Sequence, residues 1–208
     1  MRMVDHMTEN YCNSTVFAKR KLQNDGLDDL EYIIFKMLEL GMKPKLSKGD
    51  VSKAYRRLPA KVEDIPFTAI VYSYKGELYV STHLAMPFGA VGSVWAFHRI
   101  ANLVLAFVRQ HCKCPLLKYV DDFFTASRSG LLMSGICLAN MAMTCMGIPF
   151  DPRKTFLFKE QMVILGAKLT MMWARRGYHL CIEDEKRKIW RKKLCECYEE
   201  KKMEAGVA

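Results

Sequence analysis

Three aspartates carry the chemical interest of this chain. Asp50 directly follows Gly49 at the end of a predicted strand, and Asp121 and Asp122 stand side by side at the tip of a predicted tight hairpin. Tyr119, Val120, Phe123 and Phe124 flank that pair. Carboxylates in such apolar surroundings are costly to ionise unless a cation satisfies them. Clustered hard oxygen ligands suit Mg²⁺, which takes one or two carboxylates together with substrate phosphates. Two such ions can activate an attacking 3′-hydroxyl and stabilise a leaving pyrophosphate in an in-line phosphoryl transfer. Taken as a dipeptide alone, Asp121-Asp122 reads better as a turn with solvated acids, so the surroundings decide.

Several elements must hold these residues. Asp28, followed three residues later by Glu31, resembles a capping box, and Leu30, Ile33, Ile34, Met37 and Leu38 recur at helical spacing until Gly41. A short strand is expected near residues 46–51. Segments 67–74 and 77–84 flank Lys75-Gly76 as a hairpin. Residues 86–89 form a loop before a largely apolar helix over 91–109. Two very short strands, 116–120 and 123–126, meet at Asp121-Asp122. A helix over roughly 131–146 ends at Gly147, with Pro149 and Pro152 preventing its continuation. Segments 155–158 and 162–169 look like a further strand pair, and 183–203 like a charged helix. Hairpins interleaved with helices argue for an α+β fold with an antiparallel sheet. With no repeat, low-complexity tract or Gly/Ser linker, one compact domain is expected.

Half of the 208 residues are hydrophobic and 26% are charged, which excludes a mainly disordered chain. Lys and Arg total 32 against 22 Asp and Glu, for a net charge of +10. A polyanionic partner is the commonest reason for such a balance, and a solvated basic face the plain alternative. Eight cysteines accompany a polar opening, Met1 to His6, with no secretory pattern. An intracellular protein with reduced thiols is therefore expected. The Cys112/Cys114 and Cys195/Cys197 pairs fit zinc spacing poorly, even with His111 beside the first, and read as buried or incidental thiols. Residues 129–150 carry no charge, but Ser134, Gly135, Asn140, Thr144, Gly147 and Pro149 favour a partly buried helix over a membrane span.

The wider neighbourhood of the aspartates resolves the ambiguity. Tyr119-Val120-Asp121-Asp122 resembles the Y-x-D-D box of reverse transcriptases, and Asp50-Val51-Ser52-Lys53-Ala54-Tyr55 resembles the family's first catalytic motif, D-x-x-x-A-F/Y. Met86-Pro87-Phe88-Gly89-Ala90 resembles its L/M-P-x-G loop, Lys154-Thr155 its later lysine motif, and Val163-Ile164-Leu165-Gly166 its primer-grip hairpin. Arg2-Met3-Val4-Asp5 with Asn13 resembles an R-x-x-D…N segment of the fingers. Six elements in family order span residues 2 to 190, with wording similar to retrotransposon enzymes, the tyrosine-recombinase (DIRS-like) group in particular.

The resemblance implies a polymerase palm: an antiparallel sheet backed by helices, with partial fingers and the start of a thumb. Residues 1–45 would be partial fingers and a connecting helix, 46–182 the palm, with 67–88 projecting toward the fingers, and 183–208 the first thumb helix or a tail. Asp50 and Asp121 would bind two Mg²⁺ ions (or Mn²⁺) together with the backbone of Val51, with Asp122 as auxiliary carboxylate. Ser52, Lys53 and Ala54 would pass under a deoxynucleoside triphosphate, and Tyr55 would be the gate against a ribose 2′-hydroxyl. Phe88 and Gly89 would shape the pocket of the nascent base pair, and Arg2 would contact the incoming nucleotide. Lys154 would protonate pyrophosphate or hold phosphate charge. Leu165 and Gly166 would grip the primer. The implied partner is a primer-template of RNA and DNA, with the chain an excerpt of a retroelement polyprotein. The alternative is a catalytically silent nucleic-acid-binding fragment, since complete relatives carry a further fingers strand and a full thumb.

Overall fold

The computed structural model describes residues 12–16, 21–128 and 133–199. Arg2 and the segment 2–5 lie outside them.

A four-stranded antiparallel sheet forms the centre. Its members are β1 (Pro44–Asp50), β4 (Leu117–Tyr119), β5 (Asp122–Arg128) and β6 (Phe156–Lys159), in spatial order β4-β5-β1-β6. β2 (Ala69–Tyr74) and β3 (Glu77–Thr82) make a separate hairpin. There Lys75 and Gly76 both take positive φ, as a two-residue I′ turn requires. β7 (Gln161–Ile164), β8 (Ala167–Met172) and β9 (Gly177–Ile182) form a third, three-stranded sheet.

Successive side chains of a strand point to opposite faces, and both faces of the central sheet are covered. Phe123 packs into a core with Phe97, Ala101, Val104 and Val108 of α2 (Val91–Gln110) and Ile136, Ala139 and Met143 of α3 (Gly135–Cys145). Phe124 and Ala126, on the other face, join Leu46, Leu30 and Ile34 of α1 (Leu27–Glu39), and Met162, Leu169 and Met171 of the third sheet. α2 is long and apolar enough to cross a membrane by length and composition, yet it lays a buried stripe against the sheet. α3 has 11 residues, well short of a span. α4 (Asp184–Glu199) closes the described chain.

Three expectations need correction. The cap of α1 is Gly26, whose N–H donates to Asp29 Oδ2 at 2.7 Å, so the reciprocal carboxylate is Asp29 and not Glu31. Gly41, at φ +70, ends the helix as expected. Segments 155–158 and 162–169 do not pair with each other: β6 joins β1, while Leu165 (φ +48) and Gly166 (φ +80) break 162–169 into β7 and β8. β9 was not anticipated. The helix expected from residue 131 is described from Gly135, where the Ser134 hydroxyl caps it by accepting the Cys137 N–H at 3.4 Å.

Candidate active site

The central ladder places Asp50, the last residue of β1, directly opposite Asp122, the first of β5. Asp121 sits in the two-residue turn between Tyr119 and Asp122, and its carbonyl accepts the Val51 N–H at 3.3 Å. Strand pairing thus gathers at one sheet end carboxylates 71 or more residues apart in sequence. The end of β1 is fixed from a third side, where Asp151 N–H donates to the Asp50 carbonyl at 2.9 Å and Ser52 N–H to the Pro149 carbonyl at 3.0 Å. Phe150, between them, bridges Val51, and its ring lies over Gly49 so closely that a Cβ there would overlap it. Glycine before Asp50 is a steric requirement of that contact.

Past Asp50 the chain leaves the sheet. Lys53 adopts φ +56 and turns it into a 3₁₀ turn over Ala54–Arg57 that buries Ala54 and Tyr55. The Tyr55 ring meets Phe88 edge-on at 5.2 Å and Phe97 at 5.8 Å. Burial, reinforced by the charge of Asp121, pushes its phenol up to about 12. The Arg56 guanidinium lies over the Phe88 ring, 5.9 Å from its centroid. Gly89 follows at φ +89, and Asn13 ties this loop to α2: its Nδ2 donates to the Gly89 carbonyl and its Oδ1 accepts the Val91 N–H, both at 2.9 Å. Ala90, at the N-cap of α2, has no side chain that can cap the helix, so Asn13 supplies one.

These segments enclose a cleft of about 620 Å³. Of the residues expected to form the site, Asp50, Val51, Ser52, Lys53, Ala54, Phe88, Asp121 and Lys154 line it and Tyr55, Gly89 and Asp122 do not, while Arg56, Asp151 and Arg153, absent from that expectation, also line it. Asp151 was legible: it caps the 3₁₀ turn Pro152–Lys154 by accepting the Arg153 N–H at 3.0 Å, and a proline follows it. Lys154 Nζ stands 2.7 Å from Asp50 Oδ2. An apolar groove of about 550 Å³ lined by Ile33, Met37, Met133 and Leu138 shares no residue with the cleft.

Asp122 reaches solvent, but crowding by protein atoms raises its carboxyl, with the Asp121 and Asp50 charges adding to the effect and Lys48 and Lys154 opposing it. Like carboxylates so placed favour a cation between them. Among the described residues no group of three or more His, Cys, Asp or Glu is gathered as a ligand set. Asp50 and Asp121 in one cleft supply the pair of hard oxygen donors that suffices for Mg²⁺ beside phosphates. The donor chemistry fits that ion.

Leu165 and Gly166 do not line the cleft. The hairpin that carries them is tied to β1 by Lys48, whose Nζ donates to the Val163 carbonyl at 2.6 Å. No local pattern marks Lys48.

Residues 4–169 match the family model described as reverse transcriptase (RNA-dependent DNA polymerase). Among solved structures, the chain is similar to the foamy viral protease-reverse transcriptase in complex with RNA/DNA hybrid. That match has TM-score 0.63 and 17% identity, covering 88% of this chain and 22% of that one. It is likewise similar to the foamy viral protease-reverse transcriptase dRH in complex with double-stranded DNA. Here the TM-score is 0.63 and the identity 18%, covering 91% of this chain and 30% of that one. The chain therefore spans less than a third of the length of either. No curated protein matches.

Proposed function

The chain belongs to the reverse transcriptase (RNA-dependent DNA polymerase) family, and on that premise we propose that it adds deoxynucleotides to a primer 3′ end on an RNA or DNA template. The observation that carries this reading is the meeting of Asp50, Asp121 and Lys154 in one cleft with Asp122 alongside. Asp50 and Asp121 hold Mg²⁺ with the Val51 backbone, and Asp122 supports them as auxiliary carboxylate. When bound, the ions lower the pKa of the primer 3′-hydroxyl and neutralise triphosphate charge. The 3′-oxygen passes its proton to solvent and attacks the α-phosphorus, and the bond from that phosphorus to the pyrophosphate oxygen breaks. Lys154, paired with Asp50 at 2.7 Å, exchanges that partner for phosphate oxygens and gives pyrophosphate its proton.

Ser52, Lys53 and Ala54 form the floor under the triphosphate, where small side chains and the left-handed Lys53 backbone leave room. Phe88 and Gly89 shape the base-pair pocket, Tyr55 beneath them excludes a 2′-hydroxyl, and Arg2 contacts the incoming nucleotide. Leu165-Gly166 grips the primer, in a hairpin that the Lys48–Val163 hydrogen bond ties to β1. In this reading residues 46–182 are the palm, the β2–β3 hairpin belongs to the fingers, and α4 begins the thumb. The foamy viral structures hold RNA/DNA hybrid and double-stranded DNA, and a net charge of +10 suits the same class of partner.

The test is extension of oligo-dT on poly-rA with Mg²⁺, comparing the chain with Asp121→Asn. Extension that vanishes in the variant, with duplex affinity kept, is expected. Extension retained by the variant would sink the metal role of Asp121. Salt-sensitive duplex binding without extension by either chain would instead mark a catalytically silent binding fragment.

A further inference from the structure

The turn that presents Asp121 is held from outside by residues that do not line the cleft. β4 is an edge strand of the central sheet, and its free edge is occupied by residues 24 and 25. The Asp25 N–H donates to the Lys118 carbonyl at 2.9 Å, and Asp25 Oδ2 accepts the Lys118 N–H at 2.9 Å. Arg109 of α2 fixes Asp25: its Nη2 donates to that same oxygen at 2.8 Å, while its Nε donates to the Leu116 carbonyl at 2.7 Å. Asn24 Oδ1 accepts the Val120 N–H at 3.2 Å and lies 3.4 Å from Lys118 Nζ. Lys118, only 1% exposed, reaches His98 Nδ1 of α2 at 2.8 Å.

Val120 is the residue most in need of this support. It is β-branched yet held at φ +55, a left-handed backbone that such side chains rarely adopt. Strained conformations persist only where the surroundings over-determine them. Here two elements converge on a single amide immediately before Asp121: Asn24 touches it directly, and α2 holds the neighbouring Lys118 and Asp25 in place.

We propose that Asn24 is a positioning residue for nucleotidyl transfer: by holding the Val120 amide it fixes the left-handed turn that aims Asp121 into the cleft, with Asp25, Arg109 and the Lys118–His98 pair as its support. The proposal rests on the polymerase reading for its kinetic part and on the hydrogen-bond geometry for the rest. Asn24 never touches substrate in this arrangement, so its removal alters the rate of the chemical step and leaves nucleotide affinity in place.

The experiment compares the wild-type chain, Asn24→Ala and Asn24→Asp, the last retaining an acceptor oxygen. Amide hydrogen exchange is followed across residues 119–122 and across β1, alongside single-nucleotide addition kinetics. In Asn24→Ala, exchange at Val120 is expected to rise about tenfold while β1 is unchanged. In the same variant kcat falls about tenfold with KM for the nucleotide within about twofold. Asn24→Asp restores both. Unchanged exchange at Val120, or faster exchange with an undiminished kcat, overturns the proposal. A wild-type chain that adds no nucleotide, while Val120 exchange still responds to Asn24→Ala, overturns the polymerase reading and the kinetic half of the proposal together, leaving the clamp itself established.

Discussion

Tyr55 owes its position to its neighbours. Phe88 and Phe97 meet its ring edge-on, and a phenol pushed up to about 12 stays neutral throughout the range in which a polymerase is assayed. A neutral ring fixed by packing can discriminate by shape, and an added hydroxyl on the substrate is what it would refuse. Tyr55→Ala is therefore expected to raise the ratio of ribonucleotide to deoxynucleotide kcat/KM by roughly tenfold or more. Because both substrates are measured on one preparation, the ratio is independent of any loss of folded protein. An unchanged ratio would remove the gate role. The meeting of Asp50 with Asp121 and Asp122 was legible because their motifs are short and contiguous. Lys48 and Asn24 were not, since their partners lie 115 and 96 residues away and nothing in the local sequence marks either.

Among the elements, the junction of β1 with the Pro149–Asp151 segment is the least forgiving. Gly49 has no left-handed backbone to defend, so a substitution there is opposed by side chains alone, the Phe150 ring first and the Ile136 side chain at 3.2 Å behind it. Gly49→Ala is expected to cost about 1–3 kcal/mol as an overpacked contact, read by urea denaturation. Adding Phe150→Val should recover part of that loss, and a double variant no better than the single one would show that the ring is not the obstacle. The same scale shows where sequence patterns lose their force. Met162 to Leu169 has the composition of one strand, but Leu165 takes φ +48 against its own preference, and the turn is imposed by pairing of β7 with β8. α1 was readable from its apolar spacing; its first turn was not, because glycine offers no side chain to announce a cap.

For the whole molecule, Lys118 is the group that links stability to pH. Burial, offset in part by Asp25, lowers its ammonium from the ordinary 10.5 to about 8. Between those values the unfolded chain binds more protons than the folded one, so this residue makes stability rise with pH from about 8 toward 10.5. Tyr55, raised from 10.0 to about 12, acts in the opposite sense above pH 10. Urea denaturation at about pH 7.5 and about pH 9.5 should show the wild type gaining on Lys118→Met between the two; parallel behaviour would mean that Lys118 keeps its ordinary proton affinity in the fold. The central strand also sets a timetable for synthesis. β1 ends at Asp50, yet Leu46 pairs with Ala126 on one side and Lys159 on the other. At roughly 5–20 residues per second, a ribosome needs on the order of ten seconds after making β1 to deliver both neighbours. Through that interval the strand bearing Asp50 has two open edges and an apolar Leu46 without its core. The cleft at the end of β1 is thus among the last parts of the domain to assemble, and a nascent chain stalled before β6 is the form most in need of a chaperone.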